Sequence, residues 1–230
     1  MLAPLVLLFS NADPRMELQS LLDSLPSKMG RWTVCRESTA VRSREPLQPE
    51  QTISIFRGSN GQFRVETAGY WGDARLWACD GKTLLIDPLS QYEPAVLRKA
   101  ISFEAFVASE FKPQAYSGSL LAQMLMKGAY NATVDTSVDV TRPRPTTLRF
   151  KSKANGFVEL THVGGVLTRL EYDNKPSLRA AYQFNPLWNA PVADPWTQEL
   201  ISFEPRPKVS KGYLSVTVPE GLAVIDERPK

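Results

Sequence analysis

The alternation of apolar and polar residues along most of this chain is typical of β-hairpins. Residue pairs that favour tight turns separate the alternating segments at Asn60-Gly61, Asp80-Gly81, Asn155-Gly156 and Gly164-Gly165. We expect a hairpin turn at each of them. The Asn-Gly and Asp-Gly pairs are expected in type I′ turns, because both central residues of that turn need a positive φ. The pattern predicts an antiparallel meander.

The first two hairpins predict which side chains share a face of the sheet. A loop of two or of four residues at Asn60-Gly61 gives the same faces, because the two registers differ by two. One face of the first hairpin is apolar and comprises Phe56, Phe63, Val65 and Thr67. Its other face is charged and comprises Arg57, Arg64 and Glu66. The second hairpin is apolar on both faces, which predicts burial on both sides, with Trp77, Leu84 and Ile86 on one face and Leu76, Ala78 and Leu85 on the other.

The two later hairpins predict a sheet with one apolar and one polar face. Their apolar sets are Leu148, Phe150 and Phe157, then Val163, Val166, Leu170 and Tyr172. Their polar set is Arg149, Lys151, Lys153, Arg169 and Glu171. Further strands are predicted at residues 31–42, 178–184 and 213–226. Residues 185–196 are interpreted as a Trp- and Pro-rich link, with one long loop over residues 185–212 as the alternative.

Apolar residues at three- and four-residue spacing predict helices outside the hairpins. Over residues 15–29 the apolar stripe is Leu18, Leu21, Leu22 and Leu25, and Gly30 is the expected stop. Residues 94–130 break the β pattern, and we expect a helical insertion there. Its apolar positions are Phe103, Phe106, Val107 and Phe111, then Leu120, Leu121, Met124, Leu125 and Met126. The Met residues suit an adaptable surface for a flexible ligand, although core packing is the more common reason for Met.

Composition narrows the class of protein. The chain has 230 residues, 43% of them hydrophobic, and a formal net charge of +3. This length and hydrophobic content fit one β-rich domain, which we place at residues 13–230. The nearly balanced charge, with Lys and Arg scattered along the strands, argues against nucleic acid as a partner.

Residues 1–12 differ from the rest of the chain. The segment from Leu2 to Phe9 is apolar and uncharged, is too short to span a bilayer, and is followed by the small residues Ser10 and Ala12. We expect a truncated signal peptide, cut after Ala12, although basic residues are missing at its start; a buried strand or helix is the alternative. No Cys follows the cut directly, so we expect a soluble periplasmic protein rather than a lipid-anchored one.

The chemistry-bearing residues form no catalytic or metal-binding pattern. His162 is the only histidine, which excludes a His-based triad and a multi-His metal site. A nucleophile elbow and a glycine-rich phosphate loop are both missing from the sequence. We therefore expect no enzymatic activity, no metal and no cofactor. Cys35 and Cys79 leave two alternatives open, a disulfide in an exported protein or two buried thiols.

Two short motifs carry a family resemblance. The hairpin sequence Asp80-Gly81-Lys82-Thr83-Leu84 is followed by Asp87-Pro88, and a segment near the end reads Val216-Thr217-Val218-Pro219-Glu220-Gly221-Leu222 and continues to Asp226. With the order of helix, strand, hairpins, helices and hairpins, these motifs resemble the LolA/LolB-like periplasmic lipoprotein carriers over most of residues 15–230. In that family a strand leads into DGKTLW and an NP or DP step.

The resemblance implies an α+β fold that is mainly β: a curved, antiparallel, incomplete β-barrel whose open side is closed by helices over a cavity for acyl chains. It also implies an arginine in the region of the second and third strands, ahead of an aromatic position. Phe63 matches that aromatic position and Ser59 falls where the arginine is expected. The nearest arginine is Arg57, displaced by two residues. The predicted walls and lid comprise Phe56, Phe63, Val65, Trp77, Leu84, Ile86, Phe106, Leu121, Met124, Leu148, Phe150 and Leu170. Arg57 or Arg64 is expected at the rim, as partner of an acyl carbonyl or headgroup.

Two functions remain open on these grounds. The first is a soluble extracytoplasmic carrier of lipid or lipoprotein acyl chains, a monomer that touches membranes only transiently and has an envelope protein as a further partner. The second is an envelope sensor or protein-interaction module on the same fold with a filled core. Large aromatic residues inside a sheet more often form a packed core than a ligand site.

Overall fold

Twelve strands form one sheet in the part of the chain that the structure describes. The structure is a computed structural model, and it describes residues 13–38, 51–69, 74–89, 92–111, 120–125, 139–152, 156–173, 196–206, 209–218 and 220–229. The protein is mainly β, and the sheet is curved and unclosed, with few helices. The strands are β1 (Gly30–Ser38), β2 (Gln51–Arg57), β3 (Gln62–Gly69), β4 (Arg75–Asp80), β5 (Thr83–Asp87), β6 (Ala95–Lys99), β7 (Thr141–Arg144), β8 (Thr147–Ser152), β9 (Gly156–Val163), β10 (Val166–Asp173), β11 (Trp196–Pro205) and β12 (Val224–Asp226).

The strand order is β12-β6-β5-β4-β3-β2-β1-β11-β10-β9-β8-β7. Neighbouring strands are antiparallel, as the hairpin pattern predicts, except that β12 pairs with β6 in parallel orientation. Strands β2 to β6 therefore form one meander and β7 to β10 form another. Strand β1 joins the two meanders through its pairing with both β2 and β11.

Three α-helices accompany the sheet in the described residues: α1 (Pro14–Ser24), α2 (Phe103–Ser109) and α3 (Leu120–Leu125). Helix α1 begins where the Asp13 side chain accepts a hydrogen bond from the Arg15 N–H at 2.9 Å. Its predicted stripe is confirmed, because Leu18, Leu21, Leu22 and Leu25 are all buried. Short 3₁₀ helices occupy Leu25–Ser27 and Lys211–Leu214. None of the described helices is long and apolar enough to cross a membrane.

The hairpin turns at Gly164-Gly165 and Asp80-Gly81 are confirmed, with one change of turn type. Gly164 and Gly165 both have positive φ (57° and 74°) between the paired residues Val163 and Val166. At the other turn Gly81 has a φ of 91°, whereas the φ of Asp80 is not positive. The Asp80 carboxylate instead accepts from the N–H groups of Lys82 and Thr83, at 2.8 and 2.7 Å. The prediction of type I′ was therefore wrong there, but the predicted faces of this hairpin hold, because Trp77 pairs with Ile86 and Cys79 with Leu84.

The turn at Asn60-Gly61 is present, but the predicted faces of β2 were wrong. Arg57 pairs with Phe63, and the Gly58 N–H donates to the Gln62 carbonyl at 2.8 Å, so the loop has an odd number of residues. An odd loop shifts the register by one, which moves every side chain of the strand to the other face. Phe56 consequently lies opposite Arg64, on the other face from Phe63.

The β8–β9 hairpin also corrects a predicted face. Gly156 pairs with Ser152, and Asn155 and Lys153 lie outside the described residues. In this register Val158 lies opposite Phe150, whereas Phe157 lies opposite Lys151 and is 54% exposed. The prediction that Phe157 shares the apolar face was therefore wrong.

A β-bulge in β10 breaks the predicted apolar set at the next hairpin. The register shifts between Leu167 and Arg169, so that Leu167 and Leu170 are both buried. Val163, predicted with Leu170, is 63% exposed. A bulge inserts one extra residue and so reverses the alternation beyond it.

Three further segment predictions differ from the structure. Strand β6 occupies the start of the helical insertion predicted at residues 94–130, and β11 occupies much of the alternative long loop at 185–212. The strand predicted at 213–226 is a 3₁₀ turn followed by irregular chain and the three-residue β12. The predicted strand at 178–184, the predicted signal peptide and Met126 lie outside the described residues.

Each face of the sheet carries a buried apolar cluster. The inner face bears Trp32, Ile53, Phe63 and Trp77, and residues of α1, α2 and α3 join them in one cluster. The outer cluster is smaller and consists of Leu76, Ala78, Leu85 and Ala95, packed against Leu97, Val216, Val218 and Leu222. We call residues 209–218 and 220–229 the C-terminal strap, because part of this segment covers the outer cluster. The predicted two-sided burial of the β4–β5 hairpin is thus confirmed.

Cys35 and Cys79 are not joined by a disulfide in this structure. Cys35 lies on β1 and Cys79 on β4, with β2 and β3 between them in the sheet. Three strand spacings of about 4.8 Å exceed the roughly 7 Å Cα separation that a disulfide tolerates. Burial raises the pKa of the Cys79 thiol, which favours the protonated form.

Candidate functional site

An aromatic cluster lies between the inner face of the sheet and helix α2. Phe63 on β3 has its ring centroid 4.9 Å from that of Phe106 and 5.5 Å from that of Phe103. Trp77 on β4 lies 5.7 Å from Phe106 and 5.6 Å from Phe111. Ring centroids 4.5–7 Å apart are the range in which aromatic pairs attract each other. The helix is therefore seated on the sheet by aromatic contacts.

Most of the predicted wall and lid residues meet in the inner cluster. Those buried in it are Phe63, Val65, Trp77, Leu84, Phe106, Leu121, Met124, Leu148, Phe150 and Leu170. Ile86 is partly buried and packs against the cluster. The expectation that α2 and α3 cover this face is confirmed by the burial of Phe103, Phe106, Leu121 and Met124.

Phe56 and Arg64 do not belong to this site. Both lie on the outer face, where the Tyr213 ring of the C-terminal strap is 5.2 Å from the Phe56 ring and 4.6 Å from the Arg64 guanidinium carbon. Arg64 also forms an ion pair with Glu66 at 2.5 Å, and the Tyr213 hydroxyl donates to Glu66 at 3.1 Å. The prediction that Phe56 is a wall residue was therefore wrong, and Arg64 anchors the strap instead of facing the inner cluster.

Arg57 lies at the rim of the inner cluster, at the N-terminal end of α2. Its guanidinium carbon is 4.5 Å from the Phe103 ring centroid, and its Nη2 donates to the Glu104 carboxylate at 2.8 Å. The one-residue register shift that removed Phe56 from this face is what places Arg57 on it. A backbone N–H and Arg57 together lower the pKa of Glu104, so this carboxylate stays ionised.

Arg98 on β6 holds the opposite end of α2. Its Nη1 lies 3.0 Å from Glu110, which follows the last residue of the helix, and its Nε lies 2.7 Å from Glu227 of the strap. The hydrogen bond to Glu227 raises the pKa of Arg98. Two arginines on separate strands thus clasp α2 at its two ends, and we call the pairs Arg57–Glu104 and Arg98–Glu110 the arginine clasps.

Helix α3 is attached to the sheet by a buried carboxylate. Glu199 on β11 is 0% exposed and accepts from the N–H groups of Leu120 and Leu121, at 2.7 and 3.2 Å. The Tyr172 hydroxyl donates to the same carboxylate at 2.7 Å. The first N–H groups of a helix have no partner within it, so a side-chain acceptor satisfies them. Glu199 therefore fixes where α3 starts on the inner face.

Sequence reasoning missed Glu199, Arg98 and Trp32 as residues of this site. Glu199 had a detectable signal, because strand alternation places it in phase with Ile201 and Phe203 on an apolar face. Arg98 was hidden by the assignment of residues 94–130 to helix. Trp32 lies at 0% exposure in the inner cluster, and its position follows from the pairing of β1 with β2 and β11.

The chemistry of this site is that of apolar binding or packing. Among the described residues, no group of three or more His, Cys, Asp and Glu side chains is placed to hold a metal ion. The charged groups at the two ends of α2 are the arginine clasps, whose partners neutralise them. The buried walls of the cluster are mainly aliphatic and aromatic. Such a lining suits a ligand that is mostly hydrocarbon.

Comparison with known proteins adds no relative to this description. A scan against models of known protein families and a search of curated proteins both found no match to this chain.

Proposed function

We propose that this protein is a soluble extracytoplasmic carrier of lipid or lipoprotein acyl chains, on a LolA-like half-barrel. In this proposal the acyl chain binds between the inner face of the sheet and helices α2 and α3. The aromatic side chains of α2 occupy that space in the absence of ligand. The observation that carries the proposal is the attachment of α2, which combines apolar ring contacts with two solvent-exposed ion pairs.

The ring contacts of α2 are exchangeable for those of an acyl chain. Exposing Phe103, Phe106 and Phe111 costs about 1.5–3 kcal/mol for each ring, and burying roughly ten methylenes returns about 8 kcal/mol. The two amounts are of similar size. An incoming chain therefore replaces the rings without a large net cost, which is what a carrier that must also release its ligand requires.

The arginine clasps add little to the stability of the closed state. The side chains of Arg57 and Glu104 are 36% and 71% exposed, and those of Arg98 and Glu110 are 40% and 30% exposed. Exposed ion pairs contribute about 0–1 kcal/mol each. When α2 moves away, Arg57 is released at the rim, where a headgroup would find a cationic hydrogen-bond donor.

The alternative is an envelope sensor or protein-interaction module with a permanently filled core. The observation in its favour is the same aromatic cluster, whose ring separations are those of ordinary aromatic packing in a protein interior. The two functions differ in whether α2 leaves the inner face. Uptake of an acyl chain separates them.

The direct test is binding of a fluorescent fatty-acid probe to the native protein and to Leu84→Glu. Leu84 is 1% exposed in the inner cluster, so a carboxylate there would have to be desolvated without a partner, and probe binding should be lost. The matched control is Leu89→Glu, the same change at a side chain that is 52% exposed, and it should bind like the native protein.

Thermal unfolding of each variant shows whether it is folded under the binding conditions. Absence of probe binding to the native protein, with no acyl chain extracted from protein purified from its source envelope fraction, would refute the carrier and favour the interaction module.

A further inference from the structure

The indole N–H of Trp32 is a hydrogen-bond donor without an acceptor inside the inner cluster. Trp32 is 0% exposed, and its Nε1 has no hydrogen-bond partner in the part of the chain that the structure describes. Buried Trp side chains normally pair this N–H, because an unmade hydrogen bond in an apolar interior destabilises the fold. A phenylalanine at this position would avoid that cost. The presence of an unused donor therefore needs a reason.

The Trp32 ring is held in place by its neighbours on two strands. Trp32 pairs with Phe203 on β11 and with Ile53 on β2. The ring centroids of Trp32 and Phe203 are 4.2 Å apart with a tilt of 34°. A ring packed in this way presents its N–H in a fixed direction, which is a preorganised donor.

The buried carboxylate of the inner face, in contrast, is satisfied by the protein itself. The Tyr172 hydroxyl donates to Glu199, and the Glu199 carboxylate accepts from the N–H groups of α3. The polar network around Glu199 thus has its own partners within the described residues. Trp32 differs, because the cluster around it consists of hydrophobic side chains.

We propose that the Trp32 N–H donates to the carbonyl oxygen of an esterified or amide-linked acyl chain bound at the inner face. This inference rests on the carrier function proposed above and assigns the class of ligand. A neutral carbonyl supplies one acceptor to a neutral donor. An alkane leaves the donor without an acceptor. The Trp32 N–H therefore selects for acyl chains that carry a buried ester or amide carbonyl.

The experiment compares methyl laurate with pentadecane, which has the same number of heavy atoms and no acceptor. Indole N–H resonances are observed in ¹⁵N–¹H spectra of the native protein, and the Trp32 resonance is assigned by its disappearance in Trp32→Phe. Methyl laurate should shift the Trp32 proton downfield, as formation of a hydrogen bond does. Pentadecane should bind without that downfield shift.

Affinities give a second, independent readout. The ratio of the affinity for methyl laurate to the affinity for pentadecane should be about threefold to tenfold higher in the native protein than in Trp32→Phe, the contribution of one net hydrogen bond. Comparing this ratio between variants cancels the difference in hydrophobicity between the two ligands. The matched control is Trp77→Phe, the same reduction of ring size in the same cluster; Trp77 is not among the described residues whose buried polar atoms lack a partner. Trp77→Phe should weaken both ligands alike and keep the native ratio.

The outcomes separate the two proposals. An affinity ratio that is the same in the native protein and in Trp32→Phe, with the Trp32 resonance showing no downfield shift with methyl laurate, overturns the role of Trp32 and leaves the carrier function standing. Failure of the native protein to bind either ligand overturns both. Trp32→Phe also removes ring volume from the core, so its thermal stability is compared with that of Trp77→Phe, which loses the same volume. A clearly larger loss in Trp32→Phe would show that the Trp32 N–H already has a partner, and would overturn the inference without any ligand.

Discussion

The Tyr172 hydroxyl donates a 2.7 Å hydrogen bond to the Glu199 carboxylate in the interior of the protein. The same carboxylate accepts from two N–H groups of α3. A single buried side chain thus joins β10, β11 and α3. The position of α3 on the inner face depends on this side chain.

Replacing Glu199 should destabilise the protein more than any exposed substitution. In Glu199→Ala the N–H groups of Leu120 and Leu121 and the hydroxyl of Tyr172 lose their acceptor, which should lower the free energy of unfolding by about 2–4 kcal/mol. Glu199→Gln keeps one acceptor oxygen and should cost less. Urea denaturation measures both.

The control for Glu199 is Glu204→Ala on the same strand. Glu204 is exposed and pairs with Arg206 at 3.0 Å, so its loss should change the free energy of unfolding by less than about 0.5 kcal/mol. Equal effects of Glu199→Ala and Glu204→Ala would show that α3 does not depend on the buried carboxylate.

Opening one arginine clasp should accelerate ligand uptake while leaving stability almost unchanged. Arg57→Ala removes an exposed ion pair to Glu104, which should change the free energy of unfolding by about 1 kcal/mol or less. Stopped-flow mixing with a fluorescent fatty-acid probe should show a faster association rate. Arg149→Ala breaks an exposed ion pair to Glu159 away from α2 and should leave the rate as it is. An unchanged rate in Arg57→Ala would mean that the clasp does not restrain α2.

The Arg57–Glu104 clasp should also respond to acid. The pKa of Glu104 in the folded protein is lowered from its ordinary value of 4.5, by its own backbone N–H first and by Arg57 as well. The ionised Glu104 carboxylate therefore contributes to the stability of the clasp above pH 4.5, and this contribution is lost as the pH falls through the lowered pKa. Probe association should accelerate only below pH 4.5, and in Glu104→Gln the rate should already be high at pH 7. A rate that rises equally with acid in Glu104→Gln would exclude this carboxylate as the cause.

Tyr213 should make the C-terminal strap sensitive to alkali. Burial first, and then the Glu66 carboxylate, raise the pKa of the Tyr213 hydroxyl from its ordinary value of 10.0. The contribution of the neutral hydroxyl to the free energy of unfolding is fully present below pH 10, and it is lost as the pH rises through the raised pKa. Tyr213→Phe should lower the free energy of unfolding at pH 7 by about 1 kcal/mol, through the lost hydrogen bond, and should reduce the decline above pH 10. An identical alkaline decline in the variant would contradict the assignment.

A matched pair of substitutions tests which face binds the chain. Phe63→Leu alters a ring that contacts Phe103 and Phe106, and it should lower probe affinity. Phe56→Leu alters a ring that contacts Tyr213 on the other face, and it should leave probe affinity unchanged. Titrating the fluorescent probe into equal concentrations of the two folded variants measures both affinities. Equal losses would place the ligand elsewhere.

The local pattern of the sequence was enough to predict strands β2 to β5 and β8 to β10, the turns at Asn60-Gly61 and Gly164-Gly165, and the buried stripe of α1. These features depend on neighbouring residues, on the φ values that Asn and Gly tolerate, and on the period of apolar positions. The same alternation identified most of the inner-face residues, from Phe63 and Trp77 to Phe150 and Leu170.

Tertiary structure decided the features that depend on register or on distant partners. The odd loop before Gln62 exchanged Phe56 and Arg57 between faces, and the bulge in β10 separated Val163 from Leu170. Neither shift is visible in an apolar pattern of period two, because a slip of one residue reverses every face at once. The short β6 and β12 pair with each other across more than a hundred residues of chain, and Glu199 finds α3 only when the sheet is formed. The sequence determined which residues prefer the interior, and the fold determined which of them meet there.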